Sequence, residues 1–154
     1  MMEITLLRID SRLIHGQVVQ GWLPAVSVKE VVVVSETASS SKLMSKMMRM
    51  SLPQEYSLQI FGAEGAARYL KEGPSQKVMV LVEDLKTLFK LMDLGLEVKE
   101  VNIGNTKYED GKKQYGQGVF LSEEEVTLIK QRAVSTGASF VLRTLPTSLS
   151  TRLF

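Results

Sequence analysis

Two runs of this 154-residue chain, Val31-Val32-Val33-Val34 and Val78-Met79-Val80-Leu81-Val82, are apolar on consecutive residues instead of alternate ones. A strand with one wet face alternates; a strand covered on both faces does not, and such strands belong to parallel sheets sandwiched by helices. Four more runs read as strands: Ile4 to Ile9, Tyr56 to Phe61, Val98 to Ile103 and Ser139 to Leu142. Between them apolar residues recur at helical spacing, as in Val18, Val19, Trp22 and Leu23, or Leu43, Met44, Met47 and Met48. Leu85, Leu88, Phe89 and Met92, and then Val126, Ile129 and Ala133, form two later stripes. Each stripe is expected to face the sheet. For the methionine-rich one, with Met50 beside it, an adaptable docking patch is the alternative. Parallel neighbours need crossover connections, so the alternation predicts an α/β fold: an open, mostly parallel central sheet with helices on both faces. The length suits a single domain over residues 1–154.

Charge and composition remove several classes of function. With 19 basic and 17 acidic residues the net charge is only +2, so no strong field draws the chain to nucleic acid. The absence of cysteine excludes a disulfide framework, a thiolate zinc site and a cysteine nucleophile, and fits a reducing compartment. Both valine-rich runs fall far short of the roughly 20 apolar residues of a membrane span. "MMEITLLRID" has no basic lead or cleavage pattern, so a cytoplasmic protein is expected. The one long irregular stretch, "GNTKYEDGKKQYGQG" from Gly104 to Gly118, reads as a long loop with Lys107, Lys112 and Lys113 solvated. Ser122 ahead of Glu123, Glu124 and Glu125 reads as a capped helix start.

The single histidine stands in "LLRIDSRLIHGQVVQGW". If the first strand ends near Ile9 and a helix begins near Gly16, His15 lies at the carboxyl edge of the sheet, where ligands of open α/β folds collect. Free helix N-terminal amides there attract anions, and Arg12 adds a fork of donors suited to phosphoryl oxygens. Histidine can itself be the nucleophile of phosphoryl transfer, with Arg12 stabilising the equatorial oxygens. Asp10 would hold Arg12 or accept a ring N–H and so select the reactive nitrogen. Gly16 would allow close backbone approach. A lone histidine near a helix start is as well explained by a structural hydrogen bond, and spacing does not decide between the two.

The string "RIDSRLIHGQVV" resembles the signature of the enzyme IIB components of the mannose/fructose/sorbose family of the bacterial sugar phosphotransferase system. The resemblance continues through "VVVVSETASSSKLMSKMM", "VKEVNIGNTKYEDGKKQ" and "VLRTLPTS", and so covers nearly the whole chain in order. It implies that His15 accepts a phosphoryl group on Nδ1 from the phosphohistidine of a IIA domain and passes it to a sugar presented by the membrane subunits IIC and IID. Asp10, Arg12, His15, Gly16 and Gln17 carry over by direct match. Ser11 stands where an aspartate is common, and Ser35, Glu36 and Thr37 replace a more acidic stretch; both Ser11 and Ser35 are expected near the phosphate. The short tail after Pro146 implies a reduced or missing final helix. The resemblance further implies peripheral attachment to the inner face of the membrane through IIC and IID. No resident cofactor or metal is expected beyond a transient phosphohistidine, self-association is left open, and the sugar cannot be read.

Three rival readings are weighed. A nucleotide-binding module would want a glycine-rich turn after the first strand, whereas "RIDSRLIHGQ" has one glycine. A receiver-like domain would want an aspartate after the third strand, and "LQIFGAEG" has none. A catalytically silent regulatory relative would have no use for both Arg12 and His15.

Overall fold

The computed structural model describes residues 1–154. In chain order the elements are β1 (Glu3–Asp10), α1, β2 (Glu30–Val34), α2 (Glu36–Ser39), α3 (Lys42–Ser51), β3 (Ser57–Phe61) and α4 (Ala63–Glu72). There follow β4 (Lys77–Val82), α5 (Leu85–Asp93), β5 (Glu100–Asn105), β6 (Lys113–Gly116), β7 (Val119–Leu121), α6 (Glu123–Thr136), β8 (Ser139–Leu142) and β9 (Thr151–Arg152). Helix α1 is composite: a π-wound stretch, Gln17–Trp22, continues as an α-turn, Leu23–Ala25. Seven strands form one sheet in the order β3-β2-β4-β1-β5-β8-β9. All neighbours are parallel except β8 and β9.

The two valine-rich runs are β2 and β4, adjacent and in register from Val31 opposite Met79 to Val34 opposite Val82. Their side chains alternate between two cores. Val32, Val34, Val78, Val80 and Val82 enter a cluster of 26 buried residues with α4, α5 and α6, while Val31, Val33, Met79 and Leu81 enter one of 14 with α1 and α3. A fully buried valine is worth about 1.5–3 kcal/mol over an exposed one, so neither face can be stripped cheaply. This is the doubly covered, mostly parallel sheet expected from the sequence. Helix α6 begins as expected, with the Ser122 hydroxyl accepting from Glu125 N and the Glu125 carboxylate accepting from Ser122 N.

Three expectations are corrected. In α3 only Met48 is buried, Met44 is half-buried, and Leu43, Met47 and Met50 are exposed. The thinner core on that side has room for one edge of the helix, and the rest of the stripe faces out. The stretch from Gly104 to Gly118 is not an irregular loop throughout: it finishes β5 and then supplies β6, which pairs antiparallel with β7. Neither face of β6 is buried, so it has no hydrophobic period to read, and Lys112 reaches the Glu125 carboxylate at 3.2 Å instead of standing free. The tail, as expected, forms no final helix; β9 pairs with β8 there. No helix is long and apolar enough to cross a membrane.

Candidate functional site

Strand β1 is flanked by β4 and β5. From β1 the chain leaves toward β2 through α1, on one face; from β5 it leaves toward β8 through α6, on the other. The gap between the ends of β1 and β5 is therefore a topological switch point, the place where such sheets bind ligands. The loop after β1 turns tightly there. Leu13 N donates to Asp10 O at 3.1 Å, and Leu13 has φ +59°. That left-handed conformation costs a branched residue roughly 1–2 kcal/mol. Burial of Leu13 and Ile14 in the smaller core holds it in place and leaves Arg12 and His15 on the outer side of the turn.

Asp10 organises the loop. It is fully buried, and its Oδ1 accepts from Arg12 N at 3.0 Å and from Arg12 Nε at 3.1 Å. Its Oδ2 accepts from Arg12 Nη2 at 3.1 Å and faces His15 Nε2 at 3.0 Å. Burial works to raise this carboxyl, but the hydrogen bonds from His15 and Arg12 outweigh it and hold the group at about 2. A carboxylate that stays ionised can only accept, so His15 Nε2 carries the proton. The lone pair is then on Nδ1, which accepts from Gln17 N at 3.3 Å. The ring thus presents its basic nitrogen toward the amide end of α1, with its side chain 17% exposed.

Arg12 also donates from Nη2 to Gln17 Oε1 at 2.8 Å. Its Nε and both Nη2 hydrogens are then committed, and the two hydrogens of Nη1 remain for an incoming anion. Gln17 contributes its side chain to Arg12 and its amide to the imidazole. Gly16 has open space around it, with nothing within 4 Å of a notional Cβ.

Sequence reasoning passed over Arg8, which lies beneath this loop with 0% exposure. Its Nη1 donates to Asn102 Oδ1 at 2.5 Å and to Arg143 O at 2.7 Å, and its Nη2 to Thr144 O at 3.1 Å. Its Nε makes no hydrogen bond and lies 3.4 Å from Asp10 Oδ2, and the guanidinium sits 5.0 Å from the Trp22 ring centroid. Burial pulls its pKa down, with the Asp10 charge opposing. The signal was available: an arginine at an inward position of a central strand needs a counter-charge, and Asp10 lies on the same side of β1.

The two serines expected near the phosphate are bonded within the protein. Ser35 is fully buried; its hydroxyl donates to Glu83 Oε2 at 2.7 Å and accepts from Ala38 N at 3.1 Å, so it caps α2 and has no proton left for a phosphoryl oxygen. Ser11 is at the loop, but its hydroxyl donates to Asn105 Oδ1 at 2.5 Å and its amide to Asn105 O at 3.1 Å. It pins the loop to the end of β5. A surface cavity of about 700 Å³ between α5 and α6 includes no residue of the loop. The imidazole stands at the carboxyl edge of the sheet, partly covered but within reach of solvent.

Comparison with known proteins identifies the family. Residues 4–153 match the family described as the PTS system sorbose subfamily IIB component. The N-acetylgalactosamine-specific phosphotransferase enzyme IIB component 1 of Escherichia coli is 31% identical over 138 residues, which cover 86% of this chain and 87% of that one. The fructose-specific EIIB component of Bacillus subtilis is 25% identical over 152 residues, 97% of this chain and 93% of the other. Among solved structures, manxB from Thermoanaerobacter tengcongensis superposes with a TM-score of 0.92 at 28% identity, covering 99% of this chain and 93% of that one.

Proposed function

Because the chain belongs to the sorbose-subfamily IIB components, phosphotransferases of the sugar phosphotransferase system, we propose that His15 is its phosphoryl carrier and that the loop from Asp10 to Gln17 is the transfer site. The observation that carries this reading is the division of the imidazole between two partners, Nε2 on Asp10 and Nδ1 toward the Gln17 amide. The donor is the phosphohistidine of a IIA domain. The Nδ1 lone pair attacks phosphorus in line; the P–N bond of the donor breaks, and its electron pair returns to the donor's ring. The new P–Nδ1 bond leaves positive charge on the His15 ring, which the Asp10 carboxylate balances through Nε2–H. Arg12 Nη1 and the amide end of α1 bind the equatorial oxygens, and Gly16 leaves room for them.

In the second half-reaction a sugar hydroxyl presented by the IIC and IID subunits attacks phosphorus. The P–Nδ1 bond breaks and the hydroxyl proton leaves to solvent. A ring at the sheet edge, within reach of solvent, suits both steps, since a macromolecule must bring each partner to it. The chain supplies every group this route needs, so we assign it no resident cofactor. Its place is the inner face of the membrane, held by the membrane subunits.

The test is incubation of the purified protein with a phosphorylated IIA domain. The expected product carries an acid-labile, alkali-stable label on His15 Nδ1, resolved by phosphorus NMR, and His15→Ala takes up none. A wild-type protein that stays unlabelled would make this a silent relative, and a nucleotide retained through purification would move the chain to another class.

A further inference from the structure

We propose that the outer face of α3 rests directly on an anionic lipid surface. Leu43, Met47 and Met50 recur at i, i+4 and i+7, which places them in one stripe, and they are 69%, 58% and 76% exposed. An exposed apolar stripe is the informative exception to the burial rule, and it marks a contact. Lys42, Lys46 and Arg49 border it, and the helix has no acidic residue.

The charge pattern extends beyond the helix. Residues 11–29 and 37–54 contain Arg12, Lys29, Lys42, Lys46 and Arg49 and no aspartate or glutamate. Four carboxylates bound these stretches in sequence: Asp10 is buried at the end of β1, Glu55 is exposed in the turn after α3, and Glu30 and Glu36 are engaged elsewhere. Glu30 is buried and accepts from Tyr69 Oη at 2.5 Å and Ser57 Oγ at 3.0 Å. Glu36 accepts from Ala63 N at 3.0 Å and lies 3.8 Å from Lys90 Nζ, on the side of α4 and α5. The sheet face covered by α1 and α3 is therefore cationic, in a chain whose total is only +2.

Chemistry selects lipid as the occupant. A second copy meeting it with the same face would set Lys42, Lys46 and Arg49 against their own kind. The stripe projects from the helix as side chains 58–76% exposed, the form of a surface that lies against a flat layer. Arg49 donates to Leu58 O at 2.9 Å, leaving Lys42 and Lys46 as the free cations. Ammonium groups are point charges without the directional fork that reads a carboxylate, and suit a diffuse layer of phosphate headgroups. Flexible methionine side chains and the leucine beside them match shallow burial at the acyl boundary. Because α1 and α3 share one core, lipid contact through α3 would keep the helix that follows His15 near the membrane.

Flotation of the unphosphorylated protein with vesicles tests this without involving phosphoryl transfer. Wild type is expected to float with phosphatidylglycerol–phosphatidylcholine vesicles, to lose binding as salt rises, and to ignore pure phosphatidylcholine. Lys42→Gln or Lys46→Gln should weaken binding about fivefold each, and Met47→Ser with Met50→Ser should weaken it further. All these variants should keep the wild-type urea midpoint and take up phosphoryl groups in solution at the wild-type rate. The proposal is overturned if wild type does not float, or if it floats and the variants float equally. Loss of binding to detergent-solubilised membrane subunits, with no vesicle binding by wild type, would assign the face to protein instead. Flotation with no label on His15 would leave this inference standing and remove only the carrier role.

Discussion

The guanidinium of Arg8 fills the space in which a Cβ on Gly104 would stand. The two residues lie on adjacent parallel strands, with Arg8 opposite Asn102 and Gly104 two residues further along β5. A buried arginine cannot retreat without dropping its bonds to Asn102, Arg143 and Thr144. Gly104→Ala should therefore cost about 2–4 kcal/mol in urea unfolding and slow phosphoryl uptake through the displaced Asp10. Gly16→Ala is the control for the urea curve alone, because its Cβ meets no protein atom. A Gly104→Ala protein as stable as wild type would show that Arg8 is not confined as described.

Asp10 gives the site an acid limit. Its carboxyl is held at about 2 against an ordinary 3.8. A depressed carboxyl contributes stability above its unfolded value and loses it as pH falls through the folded one. The window is thus about 3.8 down to 2, and the loss about 2 kcal/mol. Urea midpoints measured from neutral pH into this window should fall in wild type. In Asp10→Asn this part of the slope should vanish, at a cost near neutrality of about 3–5 kcal/mol, because Arg8 is left buried without its counter-charge. Equal acid slopes in the two proteins would contradict the assignment.

Much of this was legible before any coordinates. Val31 to Val34 and Val78 to Val82 announced strands buried on both faces because consecutive apolar residues have no other economical place in a sheet. His15 was legible because it follows a strand and precedes a helix. What escaped notice lacked a period or a local signal. β6 is wet on both faces, and β9 consists of two exposed residues, so neither alternates. The exposure of Met47 and Met50 depends on how many helices cover that side of the sheet, which spacing within one helix does not encode. The partner of Ser35 escaped for a similar reason: its position after β2 was right, but its bond to Glu83 spans 48 residues.

Arg12 separates catalysis from stability. Its side chain is 40% exposed, and Asp10 keeps Arg8 and His15 as partners without it. Arg12→Ala should therefore leave the fold intact, with an unfolding free energy within about 1 kcal/mol of wild type. Uptake from a phosphorylated IIA domain should fall by about 10²–10³-fold, the usual effect of removing a donor aimed at developing charge. Arg12→Lys should recover little, since one ammonium cannot hold Asp10 with two nitrogens and still offer a free one. Single-turnover labelling beside a urea curve reads both quantities; an unfolded Arg12→Ala would make this arginine structural.

Ser35 should behave in the opposite way. Its hydroxyl, itself out of reach of solvent, caps α2 through Ala38 N and ties the end of β2 to half-buried Glu83 beyond β4. Ser35→Ala removes an N-cap and leaves the Ala38 amide without an acceptor, a loss of about 1–2 kcal/mol. Because that hydroxyl has no proton free for a phosphoryl oxygen, the single-turnover rate of His15 labelling should match wild type. Ser35→Thr, which keeps the oxygen, should recover part of the stability, limited by the extra methyl in a buried site. A Ser35→Ala protein of wild-type stability whose labelling slows tenfold or more would return this serine to the phosphate site and require α2 to open during transfer.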